Sequence, residues 1–552
     1  MISSEARSSS GFSARCFEWI DRTILSLGRE MRVEFLPPLM VYVAAGISGL
    51  TGIAATFFVK EYLGLSAQFL AALGFWAGLP WALKMPVGHL VDLMWRWKGI
   101  LVFIGAAVIA SSLLIMIGLV SSPNAMKAVM PIEAWYVLAA LLAPIGYVVQ
   151  DVVADAMTVE AVPRVDGDGK PVAEQLRRAM HTTMQMLGRV AIIGGGVLVS
   201  AINVVIFNDA ANLPEQEKAA LYRFAYELAL IIPLVSVAGV VLSIWLLRCR
   251  VAELRAKGFD ASEVEKLLDV HGERPPVNWW ILGGGLAFAA VSIAVGLSPL
   301  TLKEEIIFVL SMGIVIFLMV KLLRELDADA RNVLVGTAIL VFAFRAMPGS
   351  GAGTTWWYID DLGFDQAFLA KLSLVASLLT LLGLFLFRRF MAERSIAHIV
   401  VFLTIVGTIL TLPTLGMYYG LHKWTAAMTG GMVDARTIAL IDTALESPLG
   451  QVSMVPMLAW IANSAPDRLK ATFFAVMASF TNLALSASQL GTKYVNQIYT
   501  VTREVKDRAT GAIKVPADYS QLGELLAVVI VIGLVVPLAA VLALKAFRMR
   551  SA

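Results

Sequence analysis

The chain has 552 residues, of which 58% are apolar and only 15% are charged, and its mean hydropathy is +0.77. Soluble domains average roughly 45 to 50% apolar residues, so this composition excludes a soluble protein and indicates a polytopic membrane protein. The 44 basic and 41 acidic residues nearly balance, so nothing favours nucleic-acid binding, and two cysteines, Cys16 and Cys249, are too few for a disulfide framework.

Residues 1–36 are predicted to form a cytoplasmic leader. They contain no short apolar core followed by a small-residue cleavage site, which argues against a secretory signal peptide. Ile20, Ile24, Leu27 and Met31 recur at helical spacing beside basic residues, which fits a short helix on the inner leaflet and equally a solvated leader.

Fourteen apolar segments of about 20 residues follow, the length that crosses the hydrocarbon core as a helix. A first set lies at residues 37–58, 68–92, 99–121, 134–157, 183–205 and 226–247. A second set lies at residues 332–354, 367–388, 396–418, 433–461, 470–493 and 522–544, and we number the two sets as spans 1 to 12. Two extra spans, 279–297 and 304–322, lie between them. The predicted domains are an N-terminal six-helix bundle at 37–247, a cytoplasmic linker with two extra helices at 248–331, and a C-terminal six-helix bundle at 332–552.

The orientation is predicted from the basic residues. Arg96 and Lys98, the stretch 248–274 and the stretch 388–394 all fall between spans on one side, which the positive-inside rule assigns to the cytoplasm. An even number of spans then places both termini in the cytoplasm. The expected location is the bacterial inner membrane, with lipids as surrounding partners.

The two sets of six spans also resemble each other in sequence. Residues 57–75 read FFVKEYLGLSAQFLAALGF and residues 356–374 read WWYIDDLGFDQAFLAKLSL, with the LG turn at the same place in each. A parallel repeat of six helices is the plan of the major facilitator superfamily, whose substrate site lies between the halves near the membrane midplane. The repeat therefore favours a transporter over a receptor or a membrane enzyme.

The segment GHLVDLMWRWKG lies in the inner loop after span 2, where facilitator transporters carry Gly-x-x-x-Asp followed by basic residues. Asp92 there is predicted to pair with a cation or a helix N-terminus and so to latch an inner gate. The fit is partial, because Leu93 stands where a basic residue is usual. Arg96 and Lys98 are equally explained as topology signals.

Charged residues within spans 2, 4 and 5 fall at similar depth. On a rise of about 1.5 Å per residue, Lys84, Asp151 and Arg189 lie in one layer of the inner third of the membrane. Asp151 and Asp155 are four residues apart and share a helix face, so ionising both requires a nearby cation. Either this group is an ion network that locks one conformer, or it carries protons or contacts substrate.

A second set of charges lies nearer the bilayer centre, in FAFRAMPGSGAGTTWW and ALIDTALESPLGQ. Arg345, Asp442 and Glu446, together with Lys84, are the predicted substrate-binding residues, because intramembrane charges are expensive and usually functional. Glycines and a proline after Arg345 should weaken span 7, and Pro448 should kink span 10. The alternative is an Arg345–Glu446 ion pair without a role in binding.

Other motifs carry less information. The aromatic residues Trp76, Trp81, Trp356, Trp357, Tyr358 and Trp460 suit stacking on a planar ligand, but interfacial belts explain most such residues. Gly194 to Gly196 and Gly283 to Gly285 are read as sites of close helix packing. No CxxC, HExxH, GxSxG or Walker pattern occurs, so we expect no enzyme activity, no metal and no cofactor.

Several segments together resemble the folate-biopterin transporter family of the major facilitator superfamily. The matching pieces are FFVKEYLGLSAQFLAALGFWAGLPWALKMPVGHLVD, QDVVADAMTVE, FRAMPGSGAGTTWWYIDDLGF and IDTALESPLGQVSMVPMLAWIANSAPDRLKATFFAVMAS. The chain departs from the family in the loop after span 2, reduced to MWRWKG, and in its two extra spans. Muropeptide permeases are similar around QDVVADA and also have 14 spans, but they match the second half less well.

The resemblance implies an all-α integral membrane protein of the major facilitator fold, with two six-helix bundles in parallel repeat, to which the apolar segments of this chain add two extra central helices. It further implies a secondary active transporter that moves a folate- or pterin-like anion by alternating access, as a proton symporter. Asp151, Asp155, Arg189 and Asp92 would then form the gate and proton-coupling set. The alternatives are a muropeptide-permease-like transporter and a non-transporting membrane assembly factor on the same fold.

Overall fold

The computed structural model describes residues 26–82, 84–163, 165, 170, 172–268, 277, 279–324, 326–452, 454, 457, 470–506 and 513–551. The predicted leader helix with Ile20 and Ile24, and Trp460, lie outside these residues. Within the described part the chain is helical apart from one antiparallel hairpin, β1 (Val505–Lys506) and β2 (Ile513–Val515). The predicted all-α fold is confirmed, and the small hairpin before span 12 was not predicted.

The first six spans form the N-terminal bundle. Their helices are, in order, Leu36–Gly46 and Gly52–Tyr62, Ala67–Ala82 and Lys84–Leu93, Lys98–Ser121, Ile132–Ala161, Glu174–Phe207, and Glu215–Ala229 with Ile231–Ala256. The apolar part of span 5 starts at Thr183, as predicted, and its helix extends back to Glu174 through charged residues that a hydropathy pattern excludes. Pro37 and Pro38 start span 1 in the first helical turn, where their missing N–H groups cost nothing.

The last six spans form the C-terminal bundle. Their helices are Ala328–Arg345 and Ala352–Asp360, Gln366–Leu386, Ile396–Tyr418, Ala435–Glu446, Lys470–Ile498, and Leu522–Ala546. The extra helices are Trp279–Leu297 and Lys303–Leu323. Short connecting helices are Ser26–Arg29, Val33–Phe35, Ile47–Thr51, Trp95–Trp97, Pro123–Val129, Ala210–Asn212, Ala261–Leu268, Arg388–Glu393, Leu421–Met428 and Ser447–Leu449.

Ten of the described helical segments are long and apolar enough to cross a membrane. Large apolar side chains such as Leu297 and Val205 are exposed, at 84% and 78% of their surface. In water such exposure would be unfavourable, whereas in a bilayer the same side chains face lipid. The chain is therefore an integral membrane protein.

The two bundles meet along two pairs of spans, 2 with 11 and 5 with 8. Within the N-terminal bundle, spans 1 and 5 approach closely at glycine: a Cβ on Gly195 would lie 2.9 Å from the Cα of Gly46. The interpretation of this glycine run as a packing site is thus confirmed. These contacts position the charged residues of spans 1, 2, 4 and 5 around one interior.

Candidate functional site

A first charged cluster joins spans 1, 2 and 4 of the N-terminal bundle. Lys84 Nζ lies 2.6 Å from Asp151 Oδ2 and 2.8 Å from Asp155 Oδ2. Tyr42 of span 1 donates its phenolic hydrogen to Asp155 Oδ1 at 2.7 Å. The structure therefore brings Lys84 and Asp151 into contact, as their predicted common layer suggested, and it adds Asp155 and Tyr42 to the same contact.

Each charged group of this cluster has an ionic partner within the cluster. Two carboxylates four residues apart repel each other when both are ionised, and Lys84 lies between them and donates to both. The side chains of Lys84 and Asp151 are 20% and 18% exposed, whereas that of Asp155 is 46% exposed. Tyr42 was missed in the sequence, where the available signal was a tyrosine inside an apolar span, whose hydroxyl needs an acceptor.

Arg189 and Asp92 are less engaged than the other two predicted gate residues. Arg189 lies close enough to Asp151 to act on it electrostatically, without forming an ion pair to any residue that the structure describes. Asp92 is exposed near the end of span 2, and His89 lies close enough to act on it electrostatically. The Asp92 latch therefore stays a prediction.

Glu160, the last acid of QDVVADAMTVE, belongs to a separate contact. It forms an ion pair with Lys98 at the start of span 3, and the Lys98 ammonium group also lies 4.2 Å from the centre of the Trp95 ring. Lys98 is buried at 8% exposure. This pair joins the ends of spans 3 and 4 that the predicted orientation places inside the cell, which we call the inner end.

Arg345 ends the first helix of span 7, and no carboxylate among the described residues pairs with it. Its Nε is buried without an acceptor, and Nη1 has only the Met457 sulfur at 3.7 Å. A thioether is a weak acceptor, so this guanidinium group is poorly compensated. A cavity of about 20 Å³ adjoins the side chain. The arrangement leaves a half-buried cation, with a buried Nε, available to an anion.

The acids of span 10 are also without strong partners. Asp442 Oδ1 is buried and accepts no hydrogen bond, and neither Asp442 nor Glu446 forms an ion pair with a described residue. Both act electrostatically on Tyr358, whose hydroxyl lies 2.9 Å from Thr414 Oγ1. The alternative in which Arg345 and Glu446 pair with each other is not formed in this structure.

Span 7 is broken between its two helices, at residues 346–351. The backbone of this break is hydrogen-bonded by Ser488, Thr492 and Asn496 of span 11, over 2.5 to 3.2 Å. Gly351 has φ +76°, and a Cβ there would lie 2.8 Å from Asn496 Nδ2, so the position requires glycine. Irregular backbone within a membrane needs such partners, and in transporters it commonly borders the substrate site. The predicted weakening of span 7 is confirmed.

The two bundles are joined at the opposite end, which we call the outer end. Lys60 Nζ of span 1 lies 2.5 Å from Asp360 Oδ1 of span 7, and the Tyr519 hydroxyl donates to Asp360 Oδ2 at 2.5 Å. Arg503 donates to the carbonyl oxygen of Leu65 at 2.7 Å. Burial and the Asp360 carboxylate raise the pKa of Tyr519, so its hydroxyl stays a donor. Across the described residues, no ion pair joins the bundles at the inner end.

The outer contacts follow the internal repeat. Glu61 and Asp360 occupy equivalent positions of the repeated segment, and each accepts a tyrosine hydroxyl, Tyr222 in the N-terminal bundle at 3.3 Å and Tyr519 in the C-terminal bundle. Gln366 of span 8 then donates to the Tyr222 oxygen at 2.9 Å, across the bundle interface. Sequence reasoning missed this outer seal, although its acids stand in the repeat that revealed the fold.

A cavity of about 380 Å³ lies between spans 1, 2, 4 and 7. It is lined by Ala55, Thr56, Val59, Leu70, Leu73, Gly74, Ala77, Tyr136, Ala140, Ala352, Thr355 and Trp356. None of these carries a charge, two are aromatic and two are threonines. Trp356 was a predicted stacking residue, whereas Trp357 packs on Tyr358 and Tyr418 instead. The cavity suits a flat, largely uncharged ring.

The described residues include no group of three or more histidine, cysteine, aspartate or glutamate side chains that could hold a metal ion.

Comparisons with known proteins agree with this architecture. The family model described as BT1 family matches residues 45–549. A folate-biopterin transporter of Synechocystis sp. is 23% identical over 462 residues, which cover 83% of this chain and 74% of the relative.

Solved structures share the fold at low sequence identity. Peptide transporter POT in complex with alafosfalin superposes with a TM-score of 0.54 and 16% identity, over 96% of each chain. Nucleoside transporter NupG superposes with a TM-score of 0.51 and 11% identity, over 92% of this chain and 99% of that one. These likenesses show the fold, which is that of the major facilitator superfamily.

Proposed function

Since its family model matches residues 45–549, this chain belongs to the BT1 family, and we propose that it transports a folate- or pterin-like anion across the bacterial inner membrane. That it is a membrane transporter and not an enzyme follows from the family and the fold. The choice of substrate draws on its Synechocystis relative, a folate-biopterin transporter.

The observation that carries the proposal is the uncompensated charge of the C-terminal bundle. The buried Arg345 Nε and Asp442 Oδ1 each lack a partner among the described residues. Leaving a buried polar or charged group unpaired costs about 1 to 3 kcal/mol or more, a cost that a ligand with matching groups would offset. Two such groups of opposite sign in one bundle favour a ligand with both an anionic group and N–H donors.

A folate has both kinds of group. The aminopyrimidinone edge of its pterin ring presents adjacent N–H donors, which a carboxylate accepts bidentately, and we assign Asp442 and Glu446 to this edge. We assign the carboxylates of its tail to Arg345, with Lys84 as a second cation. The uncharged cavity with Trp356 and Tyr136 supplies aromatic surface for a planar ring.

We further propose that transport proceeds by rocking of the two bundles, with both termini in the cytoplasm. The Lys60–Asp360 pair supports a conformer closed at the outer end. Opening that end would break this pair, and closing the inner end would bring Asp92 and Arg189 toward the opposite bundle.

Proton symport is the proposed coupling, motivated by carboxylates within the spans. One among Asp151, Asp442 and Glu446 would be protonated in one conformer and ionised in the other. Asp151 already forms an ion pair with Lys84, whereas Asp442 Oδ1 has no partner among the described residues. Of the three carboxyl groups, Asp442 is therefore the one whose protonation a bound substrate would change most.

Uptake into proteoliposomes tests the proposal. Purified protein should accumulate labelled folate when the lumen is alkaline, excess unlabelled folate should compete, and anhydromuropeptides should not. Asp442→Asn should still exchange folate across the membrane but should no longer concentrate it. Uptake of anhydromuropeptides but not folates would refute the substrate, and equal uptake with and without the pH gradient would refute the coupling.

A further inference from the structure

The two extra helices form a hairpin whose legs are Trp279–Leu297 and Lys303–Leu323. A short turn, residues 298–302, joins the legs at the outer end of the protein. Lys303 Nζ donates to the carbonyl oxygen of Gly296 across this turn at 3.1 Å. The legs are therefore held together at the outer end, and their inner ends connect separately to span 6 and to span 7.

The first leg packs on span 2, in the N-terminal bundle. Gly285 approaches Pro86 so closely that a Cβ on the glycine would lie 2.5 Å from the proline ring. Further along the leg, Phe288 is buried in one cluster with Phe75 and Leu79 of span 2. These contacts run along much of span 2, so this leg follows the N-terminal bundle.

The second leg packs on the C-terminal bundle. Val315 and Met319 are buried in one apolar cluster with Leu334 of span 7 and with Val476 and Phe480 of span 11. Span 11 is also the principal neighbour of this leg. The first leg thus lies on the N-terminal bundle and the second mainly on the C-terminal bundle, across the seam between spans 2 and 11. Near the turn the second leg also reaches span 2, where Ile307 joins the cluster of Phe75 and Leu79.

A buried acid ties the two bundles together near the turn. Glu304, only 5% exposed, accepts the Trp76 Nε1 hydrogen at 2.9 Å from span 2 and the Lys493 ammonium at 3.1 Å from span 11. Its neighbour Glu305 pairs with Lys493 at 2.8 Å and accepts the Tyr494 hydroxyl at 2.5 Å. Glu304 therefore contacts both bundles, while Lys493 and Tyr494, the partners of Glu305, are both on span 11.

We propose that this hairpin is a clip that holds the outer ends of spans 2 and 11 together and biases the transporter toward conformers closed outside. Opening the outer end must separate the two legs where the short turn joins them and must break the Trp76–Glu304 bond. Opening the inner end separates the inner ends of the two legs. No short turn joins the legs there, because one leg continues to span 6 and the other to span 7. Lys493 keeps both carboxylates, so the second leg stays with the C-terminal bundle when the tie breaks.

The inference goes beyond the proposed function, because it concerns the conformational equilibrium whatever the substrate is. It also gives a role to the two extra helices, which a twelve-span transporter does not have. Losing one charge-assisted hydrogen bond of the clip should raise the ratio of outward-open to inward-open protein roughly tenfold.

Distance measurements between spin labels test the clip. Labels at Lys127→Cys and Lys423→Cys report the outer ends of the two bundles, since both side chains are exposed there, in a background with Cys16→Ser and Cys249→Ser. In lipid bilayers, Trp76→Phe and Glu304→Met should each raise the population with the longer outer distance about tenfold. The matched control Glu305→Gln, which leaves both Glu304 contacts intact, should stay near the unsubstituted protein.

A second variant keeps every side-chain contact. Inserting eight Gly and Ser residues into the turn, between Pro299 and Leu300, should raise the same population, because the legs are then free to separate. Folding is checked by a monodisperse elution profile. Outer distances that stay unchanged in the insertion variant, or that change equally in Glu305→Gln and Glu304→Met, would overturn the clip.

Discussion

The two bundles use buried charge in opposite ways. In the N-terminal bundle Lys84 pairs with both Asp151 and Asp155, so each of these charged groups has an ionic partner. In the C-terminal bundle Arg345 and Asp442 lack such partners among the described residues. Because both bundles follow the same repeat, the fold itself does not impose this difference. A satisfied cluster stabilises a conformer, whereas an unsatisfied one is suited to a ligand.

The largest expected effect, on folding stability, comes from breaking the cluster of Lys84, Asp151 and Asp155. Lys84→Met leaves the largely buried Asp151 and the more exposed Asp155 without their cation. Removing one partner of a buried ion pair typically costs about 3 to 5 kcal/mol of folding free energy, and the exposure of Asp155 places the expected cost at the lower end. We expect a large fall in the thermal unfolding temperature in detergent. The triple variant Lys84→Met, Asp151→Asn, Asp155→Asn should recover most of that loss. A single variant as stable as the unsubstituted protein would show that the cluster is not structural.

The second effect separates function from stability in the other bundle. Arg345→Met removes a buried cation that has no ionic partner, so the unfolding temperature should stay unchanged or rise. Folate transport should fall roughly 100-fold, the loss typical of leaving a ligand charge buried and unpaired. The ratio of kcat to KM in proteoliposomes measures it. The control is Arg436→Met, an exposed arginine of the same bundle paired with Asp365.

The third prediction concerns the ion pair that needs both bundles. Lys60→Met should weaken the outer seal and raise the outward-open population about tenfold, since a charge-assisted bond is lost. A membrane-impermeant thiol reagent should then modify Thr56→Cys, in the cavity, faster from outside. The swap Lys60→Asp with Asp360→Lys should return the rate toward that of the unsubstituted seal. A swap as reactive as the single variant would argue against direct pairing.

The smallest expected effect, on folding stability, comes from removing the helix cap at the start of span 10. Asp434 caps this helix by accepting the Thr437 backbone N–H, which holds the pKa of the carboxyl below its usual value. The corresponding span 4 follows Pro131 and has no side-chain cap. Asp434→Ala should cost about 1 kcal/mol.

The pH dependence of that cap has a definite sign. Since the folded pKa is lowered, the carboxylate contributes stability above the unfolded pKa of about 3.9, and this contribution is lost as the pH falls toward the folded value. Unfolding midpoints of Asp434→Ala and the unsubstituted protein should therefore converge in acid. A difference that persists there would mean that the side chain acts through something other than its charge.

Much of this architecture is readable from hydropathy and the repeat, because helices that cross a membrane must be apolar over a fixed length. Depth along each helix also placed Lys84 beside Asp151. Partners on other helices were not readable: Tyr42 joins the cluster through the rotation of span 1, and Glu304 reaches Trp76 only through the packing of the extra hairpin. Periodicity sets which face is apolar, but the choice of neighbouring helix depends on tertiary packing.

Arg345 also shows that partners on other helices cannot be read from the sequence, here because an expected partner is missing. The sequence permitted an Arg345–Glu446 pair across spans 7 and 10, and the break of span 7 after Arg345 leaves the guanidinium beside Met457 instead. The presence of a charge was predictable, whereas its lack of a partner was not.

Direct binding tests the central claim, that the unpaired charge of the C-terminal bundle holds the substrate. Folate titrated into purified protein should stabilise the unsubstituted transporter and Arg436→Met, with a shift that grows with concentration, but should leave Arg345→Met unshifted. Equal stabilisation of all three would contradict the account.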